Sequence, residues 1–163
     1  MVLTGGEPMI APDLPALAAG LKKAGKHITI ETAATVTPAG IACDLASLSP
    51  KLSNSTPPPE RDSAWAKKHE ATRLQPAVIA EWIRRYDFQL KFVVATEKDL
   101  AEIKTLLSRL PPVPFHQILL MPEGIDAQTL AGRASWLVEI CKHEGFRYCP
   151  RLQIELFGHT RGT

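Results

Sequence analysis

Short apolar runs alternate along this chain with stretches in which apolar residues recur at helical spacing. Val2-Leu3 is a brief strand ahead of Gly5-Gly6. Leu14, Leu17, Ala18 and Leu21 then share one helical face, with Asp13 placed to cap the start and Gly25 to stop it. His27 to Thr32 reads as a strand in which Ile28 and Ile30 point the same way, and Asp44 to Ser49 as a shorter one. Pro76 suits a first helical turn, followed by the face Ile79, Trp82, Ile83 and Tyr86. Phe88 to Ala95 is the next strand. Thr96 and Asp99 have capping-box spacing before a helix whose Leu100, Ile103, Leu107 and Leu110 turn inward until Pro111-Pro112. His116 to Met121 is a further strand. Asp126 caps the longest helix, which turns Leu130, Leu137, Val138 and Cys141 to the core and stops at Gly145. Leu152 to Phe157 is expected to be the final strand.

One stretch breaks the rhythm. Between residues 50 and 74, Ser53-Asn54-Ser55-Thr56 favours turns and Pro57-Pro58-Pro59 is excluded from a central strand or a helix interior. A long loop is expected there, with a short helix around Ala64 to His69. Strand–helix alternation on either side argues for a parallel sheet with right-handed crossovers. By itself it does not separate an open doubly wound sheet from part of a barrel.

At 163 residues the chain is expected to be a single domain, 1–163, large enough to bury a core. An apolar fraction of 45%, a charged fraction of 22% and a net charge of +2 describe a globular protein. Acidic and basic residues are mixed, which argues against a nucleic-acid partner. No apolar run approaches the roughly 20 residues of a membrane span, so no membrane partner and a cytoplasmic location are the expectations. Cys43, Cys141 and Cys149 are odd in number and widely spaced, which argues against a disulfide framework and a zinc site. They read as ordinary thiols. His27, His69, His116 and His143 have no partner at metal-ligand spacing, and no metal ligand is assigned.

Four segments carry candidate chemistry. Thr4-Gly5-Gly6-Glu7-Pro8 follows a strand, where the glycines permit positive φ and leave backbone groups bare. Glu31 stands near the end of the next strand as a hydrogen-bond acceptor for hydroxyls. Ser49-Pro50-Lys51 closes the third strand with a hydroxyl and a point charge. Met121-Pro122-Glu123 closes a later one. In a parallel β/α architecture all of these lie at the carboxyl end of the sheet, where ligands bind.

Together with the tail Arg147-Tyr148-Cys149-Pro150-Arg151 and Gly158 to Thr163, these segments resemble the radical S-adenosylmethionine (SAM) enzymes of the 7-carboxy-7-deazaguanine synthase family, along almost the whole chain. The resemblance implies a partial (β/α) barrel of parallel strands, entered here at its second strand. It implies SAM contacts from Gly5, Gly6, Glu7, Pro8, Glu31, Ser49, Pro50, Lys51, Met121, Pro122 and Glu123. It also implies substrate contacts from Thr4 and from the terminal carboxylate of Thr163; His159 and Arg161 read equally as assisting groups there or as solvated polar residues. The implied reaction is a lyase step of queuosine biosynthesis. It is the ring contraction of 6-carboxy-5,6,7,8-tetrahydropterin to 7-carboxy-7-deazaguanine with loss of ammonia. The implied cofactors are SAM, a [4Fe–4S] cluster and Mg2+, and an electron-donor protein is the implied partner. No catalytic acid or base is identified.

The sequence departs from that pattern in two places. The family's Thr-Asn-Gly-Thr is Thr32-Ala33-Ala34-Thr35 here, and the C-x3-C-x2-C cluster motif expected ahead of the glycine turn is absent. The chain by itself is therefore expected to be inactive, since the cluster needs closely placed thiolates. A non-catalytic SAM- or pterin-binding remnant and a plain scaffold domain are the other readings. The apolar opening strand Val2-Leu3-Thr4 is expected to be an unpaired edge that invites a homodimer.

Overall fold

A computed structural model describes residues 1–58, 60 and 63–160. Strands and helices follow one another as β1 (Val2–Leu3), α1 (Leu14–Lys23), β2 (Thr29–Thr32), β3 (Leu45–Leu48), α2 (Ser63–Thr72), α3 (Pro76–Arg85), β4 (Phe88–Val94), α4 (Glu97–Leu107), β5 (Ile118–Pro122), α5 (Ala127–Glu144), β6 (Arg147–Tyr148) and α6 (Leu152–Phe157). All six strands pair in parallel, in the sequential order β1 to β6. Sequential order with right-handed crossovers puts the helices on one side of the sheet, the arrangement of a partial barrel.

The strand period of two sorts the residues onto the two faces. Ile30, Ala46, Leu48, Leu90, Phe92, Val94, Ile118 and Leu120 are buried and form the core with Leu14 and Ala18 of α1, Ile79 and Trp82 of α3, Ile103 and Leu106 of α4, and Leu137 and Cys141 of α5. The opposite face carries Glu31, Ser47, Gln89 and Lys91, aligned by the register Glu31 to Ser47 and Ser47 to Gln89. Burying the first set and hydrogen-bonding the second fixes the register, because a slip by one residue would exchange the faces.

Caps and pins complete the frame. The buried carboxylate of Asp99 accepts the backbone N–H of Ala95 at 2.7 Å and of Thr96 at 2.8 Å, closing the expected capping box of α4. Asp126 accepts from the Thr129 N–H at 2.8 Å at the start of α5, and Gly145 ends that helix with φ of 73°. The loop after β2 is pinned to α3 by Trp82 Nε1 donating to the Val36 carbonyl at 2.9 Å and by the Tyr86 hydroxyl donating to that of Ile41 at 2.8 Å.

A second frame lies between β3 and β4. The Arg73 guanidinium, its side chain only 9% exposed, donates to Glu70 Oε1 at 2.6 Å, to Glu102 Oε1 at 2.7 Å and to the Lys51 carbonyl at 2.8 Å. Glu102 also accepts from the Ser53 N–H and hydroxyl, and Glu70 from the Thr56 hydroxyl. α2 buries only Ala66 among its apolar residues, so this clamp supplies much of its attachment. The stretch expected as a loop is thus largely built, with a 3₁₀ turn at Ser53–Ser55 and a helix longer than Ala64 to His69. Pro59 lies outside the described residues.

Three expectations are corrected. Leu152 to Phe157 is a helix, not a strand. β5 is already paired there by Arg147–Tyr148, Pro150 breaks the chain after Cys149, and only Ile154 of the helix is buried. Leu17 is exposed, leaving Leu14 and Ala18 as the buried residues of α1. Asp13 occupies the cap position of α1 in a helical conformation, and its side chain makes no cap bond.

Two predictions test this frame. Asp99→Ala removes the acceptor of two N–H groups and should cost about 1–3 kcal/mol in urea denaturation. A loss below about 0.5 kcal/mol, the size of an ordinary surface change, would remove the cap from the account. The Arg73 guanidinium, aided by the Thr56 hydroxyl, holds the Glu70 carboxyl at about 2. Burial pushes Glu102 up, but hydrogen bonds from Ser53 and Arg73 outweigh it and leave this carboxyl below its ordinary value. A depressed carboxylate stabilises the fold fully above its unfolded value of about 4.3, and the effect is lost as pH falls toward the folded value. The urea midpoint should therefore drop with acidification in that window. Glu70→Gln should flatten the drop, and an unchanged pH profile would count against the clamp.

Candidate functional site

The face of the sheet left bare by the helices is polar and partly enclosed. At its carboxyl end Glu31, Ser49, Lys51, Lys91, Val93, Met121, Arg151 and Gln153 line a cavity of about 530 Å³. A second cavity of about 290 Å³ adjoins it, lined by Pro50, Leu52, Asn54, Ser55 and Glu123, and the two share Ser49, Lys51 and Val93 as walls. Every strand from β2 to β6, or the loop that leaves it, contributes.

The charges on this face are unequal in their pairing. Lys91 forms an ion pair with Glu31 across the bare face, and Gln89 Nε2 donates to Ser47 Oγ at 3.0 Å beneath it. Arg151 Nε donates to the Pro122 carbonyl at 3.2 Å. Lys51 is half-buried, and among the described residues its ammonium meets only the Ser49 hydroxyl, at 3.4 Å. Among the described residues no carboxylate lies within ion-pair distance of it. Burial, reinforced by the charge of Lys91, pushes the Lys51 ammonium below its ordinary value despite Glu31 and Glu7. Removing a cation from water without a counter-charge is costly, and such groups mark places where an anion is received.

The glycine turn stands at the same end of the sheet. Gly5 and Gly6 have φ of 112° and 56°, values that glycine adopts without strain, and open space surrounds both. Pro8 begins a 3₁₀ turn over Pro8–Ile10 and is buried. Glu7 turns inward. Its carboxylate accepts the Thr32 hydroxyl at 2.7 Å, the Ala33 N–H at 2.9 Å and the Met9 N–H at 3.1 Å, so it ties β1 to the end of β2. Just beyond, buried Ala34 has φ of 55°, a left-handed conformation that suits the glycine of the Asn-Gly pattern better than alanine.

The structure thus gathers Glu31, Ser49, Lys51 and Met121 around the larger cavity and Pro50 and Glu123 around the smaller. Glu123 is ion-paired with Arg133, and Pro122 is buried. Thr4 is exposed at the end of β1. Thr163 and Arg161 lie outside the described residues. Lys91, Arg151 and Gln153 were not singled out by the sequence. Alternation in Phe88-Gln89-Leu90-Lys91-Phe92 is the signal for Lys91, since it sets a lysine on the face opposite buried Leu90 and Phe92.

The thiols do not gather. Cys43 precedes β3, Cys141 is buried on α5 and Cys149 follows β6. Burial pushes all three above their ordinary values, Cys141 to about 11. Among the described residues no group of three His, Cys, Asp or Glu side chains is placed to hold a metal ion, and no helix is long and apolar enough to cross a membrane.

Comparison with known proteins places this geometry in a lineage. The chain is 42% identical over 164 residues to a 7-carboxy-7-deazaguanine synthase of Rhodopirellula baltica, covering 100% of this chain and 63% of that protein. It is 37% identical to the Halobacterium salinarum protein of the same name, covering 100% and 66% respectively. It is 30% identical to the Pyrobaculum aerophilum one, covering 99% and 67%. The chain therefore spans about two thirds of the length of these relatives. The crystal structure of QueE from Escherichia coli superposes with a TM-score of 0.62 at 22% identity, over 92% of this chain and 55% of that one, which shows a shared fold. No family model matches. Similarity along the whole chain to three such proteins, on this fold, means that the chain belongs to the 7-carboxy-7-deazaguanine synthase family.

Proposed function

We propose that this chain forms the SAM- and pterin-binding part of a 7-carboxy-7-deazaguanine synthase, with SAM lying along the two adjoining cavities at the carboxyl end of the sheet. The observation that carries this reading is Lys51, whose half-buried ammonium is without an anionic partner among the described residues. SAM brings a carboxylate for Lys51 and ribose hydroxyls for Glu31 and Ser49. The exposed backbone of Gly5-Gly6, at the end of β1, suits its ammonium. Met121 and Val93 offer apolar surface between the polar groups. When bound, SAM supplies the adenosyl carbon to which a substrate hydrogen passes in this family. The protein's part is to bind, orient and exclude water.

The residues do not fit the other two cofactors. Cys43, Cys141 and Cys149 stand on separate elements, and no convergent acidic cluster offers a seat for Mg2+ among the described residues. The reading accordingly assigns this chain no step through the iron–sulfur cluster or the magnesium ion. The pterin, its ring contraction and the release of ammonia belong to the reading through the family alone, as does an electron-donor partner.

Calorimetric titration with SAM tests it. The wild-type chain should bind, and Lys51→Ala should weaken binding by about tenfold or more, the worth of a charge-assisted contact. Lys98→Ala, on the exposed side of α4, should leave the affinity unchanged. Equal affinities for wild type and Lys51→Ala, or a wild-type chain that binds no SAM, would sink this placement.

A further inference from the structure

Lys51 sits on a segment held with unusual firmness. Ser49 donates its N–H to the Thr32 carbonyl at 2.8 Å, which anchors the segment to β2. Leu52 is buried in the core. Ser53 is tied to Glu102 of α4 through both its N–H and its hydroxyl, at 2.9 and 2.8 Å, and Asn54 Nδ2 donates to the Val93 carbonyl at 3.0 Å. Between these anchors the Lys51 carbonyl receives Arg73 Nη1 at 2.8 Å, and the same nitrogen donates to Glu102 at 2.7 Å. The guanidinium's other face is taken up by Glu70 of α2. One planar cation thus joins α2, α4 and the main chain of the residue whose ammonium enters the cavity. A guanidinium suits this because its donors are fixed in a fork, whereas a lysine would offer a single mobile point.

We infer that Arg73 is a positioning residue: through the Lys51 carbonyl it fixes the wall shared by the two cavities, and with it the place of the Lys51 ammonium. The role of that ammonium toward SAM rests on the function proposed above; the mechanical link from Arg73 to Lys51 does not. Without Arg73, Glu70 and Glu102 lose their common partner and the Lys51 carbonyl loses its donor. The segment then keeps its anchors at Ser49 and Leu52, but the main chain of Lys51 between them is unrestrained and the lysine can swing toward water. Four charged groups bear on that ammonium, Lys91 and Arg151 against Glu31 and Glu7. Displacement would remove it from all four and from the burial that makes it more acidic than an exposed lysine.

The test uses the whole chain with its lysines reductively methylated with 13C, and NMR titration of the Lys51 signal. In wild type that signal should stand apart from those of exposed lysines and titrate at lower pH. In Arg73→Met it should move to their position and titrate with them, while thermal unfolding stays cooperative. A merely structural role for Arg73 would lower the thermal transition and leave the Lys51 titration where it was. Calorimetry adds a second arm. Arg73→Met should bind SAM about tenfold more weakly, and the double variant with Lys51→Ala should bind no more weakly than Lys51→Ala alone. A Lys51 signal unchanged by Arg73→Met, or losses that add in the double variant, overturn the inference. A wild-type chain that binds no SAM sinks the function proposed above, and the Lys51 titration then decides the role of Arg73 unaided. Should Arg73→Met fail to fold, Glu102→Gln loosens the same clamp from α4 and is read by the same signal.

Discussion

Strictly sequential parallel pairing is the constraint from which the rest of this structure follows. When each strand joins the sheet beside its predecessor, always with the same crossover hand, the helices are committed to one face. That face must be apolar, and Phe88, Leu90, Phe92 and Val94 of β4 show how closely the sequence obeys. The other face, which α6 reaches through Gln153, gathers the residues that a core would not tolerate. Glu31, Gln89 and Lys91 are half-buried, Ser47 is buried, and the four partly satisfy one another. Fold and site are thus two sides of one decision about strand order.

The polar face is also electrically unfinished. Lys91 is neutralised by Glu31, and Glu123 is balanced by Arg133. Lys51, between the two cavities, has no such balance among the described residues. A protein that satisfies its buried polar side chains elsewhere, with none left unpaired among the described residues, leaves this ammonium half-shielded at the end of β3. Its segment is nevertheless immobilised by Arg73, Glu102 and the buried Leu52. Rigidity around an unsatisfied charge is what preorganisation for a charged ligand demands, because the cost of ordering is met before the ligand arrives.

Much of this was legible in the residues, and the failures have identifiable causes. Helical periodicity placed α1, α3, α4 and α5, because each must bury a stripe against the sheet. Capping chemistry placed the starts of α4 and α5 through Asp99 and Asp126. Leu152 to Phe157 misled because its apolar residues alternate like those of a strand. Its true environment is set by Tyr148, already paired with Leu120, which local pattern does not reveal. Of the candidate site, Ser49, Lys51, Glu31 and Met121 were read from motifs at strand ends and do meet around one cavity. Arg151 and Gln153 escaped because they arrive from a helix start that the sequence disguised as a strand. Arg73 escaped for another reason: a lone arginine in a polar stretch gives no sign that it will be buried among carboxylates 3 and 29 positions away.

The inward turn of Glu7 bears on how the four-residue signature is to be used in tracing descent. Its glycines face open space and its acid faces β2, so a single short string carries two separate structural tasks. The acid would be retained in any descendant that keeps β1 seated on β2, whether or not that descendant still transforms anything. Drift in the glycines, with the glutamate kept, is therefore the pattern that would betray a lineage that has given up its ligand while holding its shape.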